Sequence, residues 1–305
     1  MTKSAHPLRA IGCALGGFFL WVLADTLMKL AGEANLPPYE VIGFLGIFIV
    51  LIMAVESVPS GGVRALWPKS PRAQFGRALL ALGSNMANVV ALKHLPLALF
   101  YVTVFTAPMM VALLAWLALR ERLTVPKILA ILVGFVGVVI AIDPVGHTSG
   151  GDWIGYAAAT FSTVCFALSM VWLRRMTQSE SVRSLVFFSG LIEVIFGVGA
   201  MLLFGAAPLT VKLLLILAGM GLFNVAGNAL NYLSLRLTPS ASTVAQFHYT
   251  QLISGAAIGY IVWHEVPGLP TVVGAAIIIM SGLYMASIAS QSAAQTMAEA
   301  PGHDA

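Results

Sequence analysis

Few side chains in this sequence could do chemistry, and most of those few sit inside apolar runs. Asn85 and Asn88 lie three residues apart, and Asn228 and Asn231 repeat the spacing. Residues three apart share a helix face. An amide offers two donors and an acceptor oxygen, so such a pair can hold a carboxylate or an ammonium. The same amides could equally serve as hydrogen bonds between helices, worth on the order of 1 kcal/mol each in a membrane. The densest polar run is Gln246-Phe247-His248-Tyr249-Thr250-Gln251. Within it, Gln246 and Tyr249 are candidate substrate contacts and His248 a candidate for proton exchange. Glu193 has no basic partner in its own neighbourhood of sequence, which suits a proton carrier or a cation-binding group. Asp25 and Lys29 stand at i, i+4 and can pair along one helix face, as a structural ion pair or as an outer gate. Trp21, Tyr101 and Trp172 could wall a cavity for an apolar or aromatic group, or simply pack.

Enzyme chemistry finds little support. No HExxH pattern is present, and His6, His94, His147, His248, His264 and His303 are scattered without metal-ligand spacing. No Ser–His pair is visible, no Walker A pattern offers ATP as a motor, and no cofactor or metal is implied. The protein is expected not to be an enzyme.

The elements that carry these residues are apolar helices. Of 305 residues, 59% are hydrophobic and only 9% charged, with mean hydropathy +0.93. Soluble domains average about 45–50% apolar and about 25% charged, so lipid is the expected solvent. The net charge of +4 does not indicate nucleic acid, because the basic residues form no patch with interleaved aromatics. Cys13 and Cys165 both fall within apolar runs, which argues against a disulfide framework. Lys3 and Arg9 precede an apolar run over 11–23 with no convincing small-residue cleavage site, so this run is expected to be an uncleaved first span.

A bilayer core needs about 20 mostly apolar residues per helix. Ten segments qualify: 9–31, 39–57, 75–93, 96–118, 124–143, 151–173, 183–204, 210–235, 239–263 and 270–290. Prolines at or near their starts fit, since a missing N–H costs little there. From Gln291 the tail is polar and small and is expected to be disordered. Thirteen of the sixteen Lys and Arg fall on one side of this arrangement, from Lys3 and Arg9 through Arg77 and Arg183 to Arg236. By the positive-inside rule that side is the cytoplasm, with both termini in it. The fold class expected is an all-α integral membrane protein of ten transmembrane helices, multi-pass in a bacterial inner membrane, as a monomer or homodimer.

The sequence also matches itself at an offset of 143. Ile11-Gly12 matches Ile154-Gly155, Phe44 matches Phe187, and Asn85 and Asn88 match Asn228 and Asn231. Pro96 matches Pro239, and with one residue of slippage Glu121 matches Glu265. The stretch equivalent to the polar run of helix nine is Thr103-Val104-Phe105-Thr106-Ala107-Pro108 in helix four, which adds Phe105 to the candidate site; Pro108 would loosen the backbone there. Two repeats follow, 9–143 and 151–290. Five spans each is an odd number, so the repeats are expected to be inverted. Inverted repeats are a transporter architecture with the site near midplane.

The stretch APMMVALLAWLALRERLTVPKILAILVGFVGVVIAID, ending at Asp143, resembles the end of an EamA repeat, and Glu265 followed by TVVGAAIIIMSG is a looser second copy. The resemblance covers roughly residues 9 to 290 and points to the ten-helix drug/metabolite transporter superfamily. It implies a basket of helices one to four and six to nine around a central cavity, with five and ten to one side. It also implies a small-molecule substrate carried by alternating access, with amino-acid export as the lead and proton coupling as an open possibility. A shorter resemblance, to S-adenosylmethionine uptake carriers, rests on ADTLMK at Ala24–Lys29 followed by Tyr39-Glu40. There the usual following arginine is absent, and Gly43 and Phe44 stand in its place.

Overall fold

The computed structural model describes residues 7–60, 62–119, 124–143, 152–175, 181–237 and 247–298. They are helical, with no strand among the described residues. The helices are α1 (Pro7–Glu33), α2 (Pro38–Ser57), α3 (Pro71–His94), α4 (Leu97–Val104), α5 (Ala107–Leu119) and α6 (Val125–Ile142). The second half supplies α7 (Trp153–Arg175), α8 (Val182–Phe204), α9 (Val211–Leu237), α10 (Thr250–Trp263) and α11 (Leu269–Ala298). Eight helical stretches among the described residues are long and apolar enough to cross a bilayer, with Leu97–Leu114 counted as one, and a shorter apolar helix runs Leu269–Met285.

Local chemistry sets their ends. Proline occupies the first turn of α2, α3 and α6. The Ser181 side chain caps α8 by accepting from the Ser184 N–H at 3.1 Å. Chain reversals fall on Asn35, Asp143 and His264, all at positive φ. The tail departs from expectation: α11 does not end at residue 290 but continues to Ala298. Alanine-rich sequence there (Ser-Ala-Ala-Gln-Thr-Met-Ala) has high helix propensity and extends the preceding turns.

The distribution of side chains is the reverse of a soluble protein's. Large apolar residues such as Leu132, Val136, Ile195, Leu202 and Leu215 are exposed. Lys29, Glu40, Gln74, Arg77 and Glu193 are buried. In lipid this is the expected arrangement, because ionisable groups face the bundle interior.

Packing pairs α1 with α9, α3 with α7, α2 with α8, α4 with α10 and α6 with α11. The set is unchanged when each helix is exchanged for its counterpart in the other half. The pair α6–α11 touches the rest chiefly through α4 and is joined by Ser281 donating to the Ala130 carbonyl at 2.5 Å. The α2–α8 crossing is close and depends on glycine. A Cβ on Gly46 would lie 2.6 Å from the Gly190 carbonyl oxygen, and one on Gly43 3.0 Å from the Gly197 Cα. This explains Gly43: no arginine could fit between these backbones. Elsewhere, Gly12 opposes no neighbouring atom, while Gly255 lies against the Tyr101 ring.

Candidate functional site

The fourth apolar run does not form one regular helix. It breaks at Phe105-Thr106 between α4 and α5. Pro108 lacks the N–H that would bond the Val104 carbonyl. Hydroxyls bond the backbone around the break: Thr103 donates to the Leu99 carbonyl at 3.0 Å, and Thr106 to the Thr103 carbonyl at 2.7 Å. The corresponding stretch of the second half is the 3-10 turn Phe247–Tyr249, which passes into α10 at Thr250. Gln246 lies outside the described residues. The two irregular segments meet. The ring of Phe105 stands 5.1 Å from that of His248 and 5.3 Å from that of Tyr249. Helix α1 closes the cluster from another side, with Phe18 stacked on His248 at 5.0 Å and Trp21 edge-on to Phe18 at 5.7 Å. Phe18 was not legible as a site residue, since phenylalanines are common in any apolar helix.

An acid borders this aromatic cluster. The Tyr101 hydroxyl donates to Asp25 at 2.7 Å, and the Tyr101 ring stacks on Phe105 at 5.9 Å. Asp25 therefore does not pair with Lys29, as their spacing predicted. The long Lys29 side chain instead reaches Glu265, forming a buried ion pair, and donates to the Leu95 carbonyl at 3.1 Å. Its ammonium also sits 4.6 Å over the Trp263 ring, whose N–H donates to Glu33 at 2.9 Å. Trp263 is thus built into this network. The other Glu265 oxygen accepts the Leu97 N–H at 3.0 Å at the start of α4. Three acceptor and ring contacts outweigh the single carboxylate one turn away.

The same end of the bundle carries further ties between the two halves. His94 meets Asp152 at 2.7 Å, Glu40 accepts the Ala207 N–H at 2.8 Å, and Tyr39 donates to the Gly205 carbonyl at 3.2 Å. This end, poor in Lys and Arg, is tied across the two halves.

The four asparagines divide. Asn85 donates to Glu193 at 2.7 Å, across from α3 to α8. Asn88 instead accepts from Ser162 at 2.5 Å in the α3–α7 seam, where Ser84 and Ser162 also bond at 2.8 Å. Asn231 lies in the α1–α9 seam against Gly17, with neither amide atom paired among the described residues. Asn228 donates to the Asn224 carbonyl at 2.8 Å and borders a cavity. Among the described residues the four asparagines therefore do not share one space. The cause is the i, i+3 spacing itself: about 60° of rotation turns one member to α8 or the cavity and the other to a helix seam. Asn88→Leu is expected to leave transport within about twofold and to cost about 0.6–1 kcal/mol of stability, the usual worth of such a contact; a detergent melt alongside a flux assay checks both.

Glu193 does have a basic neighbour. Arg77, counted with the basic side in sequence, is buried within α3 and reaches α8 one turn before Glu193. It donates to the Leu185 carbonyl at 2.9 Å and to Ser189 at 2.6 Å, both on α8. One Glu193 oxygen has no partner among the described residues. Trp172 is corrected as a cavity wall: it covers Gly76 at the outer edge of the α3–α7 seam and is 43% exposed.

A cavity of about 440 Å³ opens at the opposite, basic end, between the end of α2, the start of α8 and the later turns of α9. Glu56 and Arg183 pair at its edge at 2.9 Å.

A family model described as "EamA-like transporter family" matches residues 8–142 and again 153–288. The chain belongs to the EamA-like transporter family. An S-adenosylmethionine uptake transporter of Rickettsia bellii (strain RML369-C) is 24% identical over 284 residues, 91% of this chain and 94% of the relative. The pseudopaline exporter CntI of Pseudomonas aeruginosa (strain UCBPP-PA14) is 24% identical over 272 residues, 86% of this chain and 90% of the relative. A solved crystal structure is similar at a TM-score of 0.63 and 18% identity, covering 92% of this chain and 99% of the other, which supports the fold. The protein is a multi-pass membrane transporter of small molecules.

Proposed function

We propose that the protein carries S-adenosylmethionine, or a metabolite of the same kind, across a bacterial inner membrane by alternating access. Ten spans form two inverted five-helix repeats, 9–143 and 151–290, with both termini in the cytoplasm. The exchange-invariant helix pairing and the doubled family match support the repeats. Irregular backbone at equivalent positions of two repeats is a usual pointer to a transporter's substrate site.

The observation that carries the substrate reading is that crossing: Phe105, His248 and Tyr249 beside Asp25, which is held by Tyr101. Aromatic faces attract cations, by about 2 kcal/mol when desolvated, and stack on flat rings. A carboxylate beside them favours a positive centre. S-adenosylmethionine joins a sulfonium to a purine, and four such uptake transporters are among the relatives. Glu193 and His248 are the groups proposed for proton coupling, and the Lys29–Glu265 network for the outer gate.

Equilibrium binding of labelled S-adenosylmethionine to the purified protein tests this. S-adenosylhomocysteine, which lacks the sulfonium charge, is expected to compete at least about tenfold more weakly, the worth of one cation–π contact of about 1.4 kcal/mol. Equal competition would remove the cation from the reading. Amino-acid export is the second reading, favoured by the uncharged amides Asn85 and Asn228 on opposite repeats. Binding of neutral amino acids in the absence of any S-adenosylmethionine binding would select it.

A further inference from the structure

The α6–α11 pair touches the bundle chiefly through α4, yet it receives a side chain from beside each of the two irregular segments. The Tyr249 hydroxyl lies where a Cβ on Gly282 of α11 would stand, with its Cζ 2.5 Å from that point. The Met109 sulfur and methyl lie likewise where a Cβ on Gly134 of α6 would stand. The two notches are neighbours, since the Oγ of Ser281 comes 3.3 Å from the same point on Gly134. Both glycines lie in the stretches that carry the repeat resemblance, LVGFVGVVIAID and TVVGAAIIIMSG. The two inserted side chains differ in kind. Methionine has three torsions and adapts to a changed surface. A tyrosine ring is rigid, and this one ends a 3-10 turn of three residues, whose hydrogen-bond geometry is poorer than an α-helix's. Its orientation therefore depends on what its ring touches: Phe105, edge-on at 5.3 Å, and the Gly282 notch at its tip.

We infer that Gly282 is a specificity-determining residue: by admitting the tip of Tyr249 it sets the width of the gap beside Phe105 and His248 that a flat ring of the substrate enters. This rests on the placement of the substrate site at the crossing, proposed above, and adds to it a residue that touches no substrate. A methyl group at position 282 takes the place of the Tyr249 hydroxyl. The α6–α11 pair is packed too closely to yield, because a Cβ on Gly137 would already lie 3.0 Å from the Gly274 carbonyl oxygen. The ring must swing off α11 instead, toward Phe105 and His248, and the gap narrows. A substrate that places a purine there loses its contact. A ligand without a flat ring, such as L-methionine, has nothing in the gap to lose.

The test uses the full chain in detergent, with its tyrosines replaced by 3-fluorotyrosine and the Tyr249 fluorine-19 signal assigned by its loss in Tyr249→Phe. Without ligand, Gly282→Ala is expected to move that signal and leave the other tyrosine signals in place, which also shows that the variant is folded. Gly274→Ala disturbs the same helix pair, with a Cβ 2.6 Å from that of Ala141, and should not move it. In equilibrium binding Gly282→Ala should weaken S-adenosylmethionine about tenfold, the worth of one aromatic contact, and L-methionine by less than about twofold. In a Tyr249→Phe background, where the hydroxyl is gone and only Cζ remains near the notch, the loss from Gly282→Ala should shrink to about threefold. Gly134→Ala, which meets only the flexible end of Met109, should stay within about twofold. An unmoved Tyr249 signal, equal losses for the two ligands, or the same loss in Gly274→Ala would overturn the inference. A moved signal in a protein whose wild type binds neither ligand would overturn the substrate reading while upholding the seating of Tyr249 by Gly282.

Discussion

Asp25→Asn is expected to lower transport of S-adenosylmethionine about a hundredfold while leaving the protein folded. Asparagine keeps an oxygen for the Tyr101 hydroxyl, now 2.7 Å from Asp25, so the local hydrogen bond survives and the charge alone is lost. Removing one member of a desolvated charge contact costs about 2–5 kcal/mol, and about 2.8 kcal/mol is a hundredfold. Tyr101→Phe is the control. It frees the carboxylate without removing it, and it keeps the ring stacked on Phe105. Its cost should be about tenfold, since a hydrogen bond to a charged group is worth about 1.5–3 kcal/mol. Initial rates of labelled uptake into proteoliposomes check both. Normal transport by Asp25→Asn would take the acid out of the site.

Lys29→Met carries the second large effect, on conformation. Lys29 and Glu265 form a pair of which the lysine is 4% exposed and the glutamate 19%. Breaking a buried pair by removing one partner costs about 3–5 kcal/mol, because the other charge is left uncompensated. The closed end of the bundle is where that cost falls. The pair joins α1 to the turn after α10, and Glu265 also holds the first turn of α4 through the Leu97 N–H. The balance between closed and open should therefore shift by about 10²–10⁴-fold toward open. The double variant Lys29→Met with Glu265→Gln leaves no stranded charge and should recover most of the closed state. A cysteine in place of Asn35, at that end, reports the shift as faster labelling by an impermeant reagent. Unchanged labelling in Lys29→Met would mean that the network is not a gate.

Much of the fold was legible because a bilayer imposes it. Apolar runs of fixed length, proline at their starts and basic residues on one side are one-dimensional signals. The break at Phe105 was also legible, through Pro108 and the repeat offset. Partners were not. Lys29 had a carboxylate four residues away, yet took one 236 residues away. Asn85 and Glu193 are 108 residues apart, and only the packing of α3 on α8 brings them together. Arg77 looked like a loop charge because it lies within two turns of the start of α3, where sequence alone cannot tell a snorkelling arginine from a buried one. The α2–α8 crossing was not legible because Gly43, Gly46, Gly190 and Gly197 oppose one another only across helices.

The most direct test of the central claim is counterflow in proteoliposomes loaded with unlabelled S-adenosylmethionine. Labelled S-adenosylmethionine should enter rapidly and saturably, and transiently exceed the outside concentration, with entry abolished by Phe105→Ala at the crossing. Protein shown to be folded that gives no counterflow with S-adenosylmethionine, or with a pool of amino acids in its place, would contradict the account of a carrier whose site lies where Phe105 meets the Phe247–Tyr249 turn.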